Sequence, residues 1–403
     1  MEPGAIPSLI FTLGGLLIAS MFLKSWLERL GLPPLVAFLG LGLLLRLADG
    51  EWGLLGDLGH GTFQVLADLG VICLLFRVGL ESDLAGLARQ LRRASVLWLL
   101  SVVASGAAGF AVAYYALGQA LLPGVFVAVA LTATSVGVPM AVWHRAGKLD
   151  SASGELLIDV AEMDDVSGVV LMALLFGGAS TLVGEAAALG PLAWTLAEVL
   201  VRLGGFMALC YLFSRYLEKR VTHFFRRMER GPDPMITVAG MAIVIAALAG
   251  LLGFSVAIGA FFAGLVFSRD PEAVKMEASF QAVHDLFVPF FFIGIGLAVE
   301  PSSLPGGVFL GLVLLVAAVG GKMAGVGGPA LLWTGWRRAT LLGLSMVPRA
   351  EIAMIIMERG RAMAREVVPP ELFSGMTLVT LITCTAVPLV LRPLLRRWEA
   401  AEA

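Results

Sequence analysis

Runs of about twenty apolar residues recur from one end of this chain to the other, SLIFTLGGLLIASMFL near the start and TLVTLITCTAVPLVL near the finish among them. About twenty residues is the length at which a helix crosses the hydrocarbon layer of a bilayer. The 403 residues are 59% hydrophobic and only 14% charged, with a mean hydropathy of +0.91. A soluble protein of this length needs far more polar surface to cover its core. A membrane β-barrel would show short alternating stretches, and the chain has none of that pattern. The reading is an all-α polytopic membrane protein.

About thirteen spans are expected, near 7–24, 33–48, 60–78, 93–117, 123–144, 152–178, 192–217, 235–253, 254–269, 280–299, 306–333, 337–358 and 372–395. The eighth and ninth are short and share almost no loop. One alternating set of loops holds Lys24 and Arg29; Arg89, Arg92 and Arg93; Arg145 and Lys148; Arg337 and Arg338; and the stretch SRYLEKRVTHFFRRMER. The other set is nearly free of Lys and Arg except around Arg359 to Arg365. Positive loops stay cytoplasmic, so the N-terminus is expected outside and the C-terminus inside a bacterial-type inner membrane. The first span is expected to be retained rather than cleaved, and no nucleotide-binding regulatory domain is expected after the last. A net charge of −2 without a dense basic block gives no sign of nucleic-acid binding. Cys73, Cys210 and Cys384 all fall in apolar runs, as packing residues do.

Three weak internal matches keep one order along the chain. LLFRVGLESDL pairs with FFFIGIGLAVEPSSL, AFLGLGLLLR with AFFAGLVFSR, and TATSVGVPMAV with LGLSMVPRAEI. They pair spans one to six with spans eight to thirteen, and the odd offset inverts the second copy. The expected organisation is a first inverted repeat over 1–178, a linker helix and basic loop over 179–234, a second repeat over 235–395 and a short tail over 396–403. Proline interrupts two matched spans, at Pro139 in TATSVGVP and Pro348 in LSMVPRAE. Unwound backbone at membrane depth is tolerated against protein or a water-filled cavity, where it offers carbonyls and helix ends to an ion. An ordinary proline kink explains either one alone; the matched pair favours a binding site.

Of 28 Lys and Arg, Arg77, Arg202, Lys322 and Arg349 lie well within spans, with Asp68, Asp159, Glu162, Asp164, Asp165 and Glu351 as the acids at comparable places. A charge at mid-membrane costs at least about 2.5–3.5 kcal/mol on insertion scales, so such groups pair or work. Arg77 sits near a helix end, where it can snorkel. Arg202 has Glu198 one turn earlier as a structural partner. Lys322 lies mid-span in AVGGKMAGVGG, where small neighbours permit close helix approach.

The acids of the sixth span divide by direction. At about 100° per residue, Glu155, Asp159 and Glu162 share one face within about 40°, Asp165 follows about 60° further round, and Asp164 points away. Together they form an acidic path inward from the cytoplasm, Asp159 and Glu162 lining an aqueous funnel that ends at Asp165. Lys322 is the candidate partner for Asp164. Structural ion pairs can account for Asp164 with Lys322, and for Arg349 with Glu351 or another acid, but leave Asp165 without an obvious basic partner. Burial favours the protonated form of a carboxylate. Such a group can hold a proton and exchange it for a hard cation.

LLFRVGLES, LTATSVGVP, the Asp164–Asp165 pair, SVAIGAFFAGLVFSR, FFFIGIGLAVE, Lys322 and PRAEIAMII together resemble the monovalent cation:proton antiporter-2 family, especially its NapA-type sodium/proton antiporters. The resemblance implies the NapA/NhaA-like fold of crossed broken helices. It implies that Asp165 binds cation and proton with Thr134 and Ser135 nearby, that Asp164 and Lys322 form a salt bridge that breaks and reforms, and that Arg349 and Glu351 stabilise the second crossover. It further implies a homodimer, a core domain moving past a dimerisation domain, and electrogenic exchange. Arg349-Ala350-Glu351 departs from the family's frequent Arg-Gly-Glu, and Arg77 stands at a usually apolar place. Asp159 and Glu162 make the approach unusually acidic.

The leading expectation is a transporter, not an enzyme, exchanging Na+ or Li+ for H+ at Asp165 without a cofactor. A K+/H+ antiporter is the near alternative. An intramembrane aspartyl protease is the remote one, since adjacent aspartates diverge by about 100° on a helix instead of converging on one water.

Overall fold

The computed structural model describes residues 5–82, 91–183, 189–217, 220, 235–268 and 273–399. Arg89 and most of the basic stretch after Ser214 lie outside them, as do the side chains of Arg92 and Arg93. The described residues are helical almost throughout. The helices are α1 (Ala5–Leu30), α2 (Leu35–Trp52), α3 (Gly56–Glu81), α4 (Leu91–Ala111), α5 (Leu121–Thr132), α6 (Gly137–Arg145), α7 (Ala152–Val183) and α8 (Leu189–Leu212). They continue with α9 (Met235–Leu251), α10 (Val256–Phe267), α11 (Ala273–Ala298), α12 (Leu304–Lys322), α13 (Gly328–Ser345), α14 (Glu351–Met363) and α15 (Pro370–Glu399).

Each of the thirteen expected spans corresponds to a helix or to two helices flanking a break. α5 and α6 form the fifth span. A single turn of wider π-helix joins α12 to α13, and Gly335, at φ 76°, bends α13. The residues before that bend complete the eleventh span, and those after it begin the twelfth, which α14 completes. Among the described residues, eight helical runs have the length and apolarity of a membrane span by themselves. The acids of α7 all lie in its first half, and its 32 residues reach about 48 Å at 1.5 Å per residue. Large apolar side chains on outer faces, Phe11, Trp194 and Leu251 among them, are more than three-quarters exposed. Lipid covers such surface in a membrane protein.

Local chemistry ends the helices. α1 stops at Gly31, whose φ of 71° suits glycine, and Pro33 and Pro34 prevent its resumption. α2 stops at Gly53 in the same conformation, with its N–H on Asp49 O at 2.8 Å. The division between α9 and α10 is a real one: Gly253 turns the chain at φ 87°, and Ser255 caps α10 by accepting the Ile258 N–H.

The chain packs as two compact units. One comprises residues 55–83 and 169–294. Within it α3 and α10 lie so close that a side chain on Gly79 would strike the Phe261 carbonyl, and one on Gly264 the Phe76 carbonyl. Arg77 here donates to Glu81 at 2.6 Å and to Gln281 at 2.9 Å, so it has polar partners besides any route to the membrane surface. Arg202 is paired with Glu198 on the exposed side of α8. The other unit comprises residues 1–54, 84–168 and 295–403, and holds both interrupted spans and the charges between them.

In that second unit α12 runs against α4 over glycine. A methyl group on Gly321 would lie 2.8 Å from Ser105 Cα, and one on Gly325 2.7 Å from Ser101 Cα. Small residues let membrane helices approach this closely. Gly321→Val is therefore expected to destabilise the protein by about 1–3 kcal/mol, the usual cost of overpacking. Thermal unfolding in detergent checks it; an unchanged midpoint would show that α4 and α12 part without cost.

Candidate functional site

The two interrupted spans meet at their breaks. α5 ends at Thr132, Ala133 is extended at φ −68° and ψ 142°, and α6 begins at Gly137 with Pro139 in its first turn. There the missing proline N–H costs nothing. α13 ends at Ser345, Ala350 takes φ −144° and ψ −97°, and α14 begins at Glu351. The Ser135 N–H donates to the Pro348 carbonyl at 2.9 Å, so one unwound segment satisfies the other. Trp143 of α6 donates through Nε1 to Ser345 Oγ at 2.9 Å, tying the two spans together a second time.

α7 passes beside this crossing. Space for a Cβ at Gly168 ends at Ala133 and Ile352, both 3.4 Å away, so the helix touches both interrupted spans. Asp164, 1% exposed, receives Thr134 Oγ1 at 2.7 Å and Lys322 Nζ at 2.5 Å on the same oxygen, Oδ2. Lys322 is fully buried and uses all three ammonium donors. They go to Asp164, to Ser101 Oγ at 2.6 Å and to the Thr132 carbonyl at 2.8 Å. That carbonyl is free because α5 ends there, and a cation suits the negative end of a helix.

Arg349 is equally buried. Its Nη1 donates to the Met346 carbonyl at 3.0 Å, the Pro348 carbonyl at 3.3 Å and Thr134 Oγ1 at 3.4 Å, and its own N–H reaches Thr383 Oγ1 at 3.2 Å. Through Nη1 the guanidinium serves carbonyls exposed by the second break. Glu351 stands in the first turn of α14, where a negative charge suits the positive helix end.

Along α7 the acids pass from an exposed end of the helix to a buried middle. Glu155 is exposed, Asp159 and Glu162 are half-buried, and Asp165 is 8% exposed. Thr134 and Ser135 are buried beside the break. Ser135 Oγ and Asp164 Oδ1 make no hydrogen bond to the described residues. The site thus combines a dry carboxylate–ammonium pair, a second buried carboxylate next to it in sequence, and two opposed helix breaks. Such a group of oxygens with one ammonium suits monovalent cations and protons. Among the described residues no three His, Cys, Asp or Glu are placed to hold a metal ion as a set.

Sequence reasoning missed several members. Ser101 was one hydroxyl in an apolar run, and Trp143, Ser345 and Thr383 carried no spacing signal. Trp98, which donates to Ser167 at 2.9 Å while Ser167 holds the Asp164 carbonyl at 3.0 Å, was equally silent.

Comparison with known proteins identifies the family and the fold. The chain is 27% identical over 384 residues to a Na+/H+ antiporter of Enterococcus hirae, covering 94% of this chain and 95% of that one. It is 25% identical over 350 residues to the high-affinity Na+/H+ antiporter NhaS3 of Synechocystis sp., covering 85% and 73%. The solved structure of the sodium proton antiporter MjNhaP1 from Methanocaldococcus jannaschii superposes with a TM-score of 0.71 at 16% identity, over 98% of this chain and 99% of that one. The fold is therefore the expected antiporter fold. The family described as sodium/hydrogen exchanger, transmembrane, matches residues 16–397. That match is broader than the antiporter-2, NapA-type label suggested by the motifs, and it bears out the kind of protein they indicated. The chain belongs to the sodium/hydrogen exchanger family, whose members are membrane transporters of cations and protons and not enzymes.

Proposed function

We propose that this protein exchanges sodium, or lithium, for protons at Asp165. The observation that carries the reading is a buried carboxylate, 8% exposed, directly following the Asp164 of a fully buried ion pair where two interrupted helices cross. A carboxylate in a low-dielectric site favours its protonated form unless a cation takes the proton's place. Proton and sodium then compete for one group. Thr134, which bonds Asp164, and Ser135 supply neutral oxygens from the first break. Asp164 and Lys322 form a second, coupled element, in which the ammonium is bound when Asp164 is free to hold it and released when Asp164 turns to the cation. Glu155, Asp159 and Glu162 draw cations inward from the cytoplasm. Arg349 and Glu351 keep the second break in shape, Arg349 by binding its carbonyls.

The finer reading follows the motifs. It comprises two inverted six-helix repeats, a homodimer, elevator-type alternating access and electrogenic exchange, in a bacterial-type inner membrane with the N-terminus outside. Sodium is favoured over potassium by the Asp164–Asp165 pair and by the similar proteins named as Na+/H+ antiporters.

Proteoliposomes with an imposed pH gradient test the reading when sodium, lithium and potassium are added separately. Sodium and lithium are expected to collapse the gradient, at a rate that responds to an imposed membrane potential. Collapse by potassium alone would make the protein a K+/H+ antiporter, and no response to any of the three would end the proposal.

A further inference from the structure

We infer that Ser101 is a positioning residue for exchange: its hydroxyl keeps the Lys322 ammonium in place and charged while Asp164 disengages. The inference rests on the exchange reading above. Its geometric basis is the complete use of the ammonium. Three donors meet three acceptors, of which Asp164 is the charged one and Ser101 Oγ, at 2.6 Å, and the Thr132 carbonyl, at 2.8 Å, are neutral. Lys322 and Ser101 are both fully buried, so water does not substitute for a lost acceptor.

The charged groups around Lys322 are Asp164 and Asp165 of α7, two carboxylates, and Arg349 at the second break, a like charge. From α4 and α5 the atoms that reach it are neutral. Once Asp164 turns away, Arg349 still repels the ammonium, and the two neutral acceptors hold it. The Thr132 carbonyl comes with the helix break. Ser101 is the adjustable one, and Gly325 brings it within reach, since any side chain there would strike Ser101 Cα.

Ser105 supplies an internal control. It is buried one turn further along α4, and its hydroxyl makes no hydrogen bond among the described residues.

The test is the pH profile of exchange in proteoliposomes for the wild type, Ser101→Ala, Ser101→Thr and Ser105→Ala. Without the hydroxyl, Lys322 gives up its proton more readily. The Ser101→Ala profile is then expected to move by about one to two pH units towards acid, the equivalent of about 1.5–3 kcal/mol for a hydrogen bond to a charged group. Ser101→Thr is expected to restore it and Ser105→Ala to leave it in place. A Ser101→Ala profile that coincides with the wild type overturns the inference, whatever happens to rate or stability. Failure of the wild type to exchange any cation would instead end the exchange reading. Ser101 is then judged from thermal unfolding across pH. Its bond stabilises the fold only while the lysine is charged, so the gap between wild type and Ser101→Ala should be widest at low pH and close as pH rises. A gap that stays constant overturns the inference by this route too.

Discussion

Replacing Lys322 by Gln is expected to lower the stability of the protein by about 3–5 kcal/mol, the loss usual when one partner of a buried ion pair is removed. Both side chains of the Lys322–Asp164 pair are wholly inaccessible, so the remaining carboxylate cannot recover its charge's solvation. Ser101 Oγ and the Thr132 carbonyl lose a donor at the same time. Adding Asp164→Asn to the Lys322→Gln chain should return part of the loss, because the orphaned charge goes with it. Thermal unfolding of the two single variants and the double variant in detergent measures this. A double variant less stable than the wild type by the sum of the two single losses would show that the two residues act independently.

Asp165→Asn is expected to reduce exchange to the background of protein-free vesicles while leaving the fold in place. Asparagine matches aspartate in shape but neither takes up a proton nor balances a cation's charge. The variant should keep an unfolding midpoint close to that of the wild type. If Asp165 served only to hold helices together, the opposite pattern would be seen, a lowered midpoint with exchange still measurable.

Much of the architecture was legible because membrane depth makes certain residues costly. Prolines at 139 and 348, each in a segment of small and hydroxyl residues, announced the two breaks, and the crossing of those breaks is seen in the Ser135–Pro348 contact. Lys322 stood out as a charge at mid-span, and the helical direction of Asp164 pointed to it. The contact between them then depended on the glycines that bring α12 against α4. Arg202 with Glu198 was readable from spacing alone.

Other features had no local signature. Ser, Thr and Trp side chains in an apolar helix read as filler until tertiary packing supplies a partner, as it does for Ser101, Trp143 and Thr383. The twelfth span shows how charge misleads at an end. Glu358, Arg359 and Arg361 suggest that it stops near residue 358, yet α14 continues to Met363. Arg359 lies 3.7 Å from Glu358, and the Arg361 guanidinium sits over the Phe373 ring, so these charges are accommodated within the helix. Arg349 also read differently from sequence, where a carboxylate was the obvious partner. Its Nη1 donates to backbone carbonyls left free by the helix break, which no residue pattern displays.

The claim that sodium and a proton compete for Asp165 is tested most directly on the purified protein in a weakly buffered solution. Adding sodium chloride to the wild type should release protons, read as a fall in pH, and choline chloride at equal ionic strength should not. Asp165→Asn should release none above that control. Equal release from the wild type and Asp165→Asn, or none from the wild type anywhere in the pH range where it exchanges, would contradict the account.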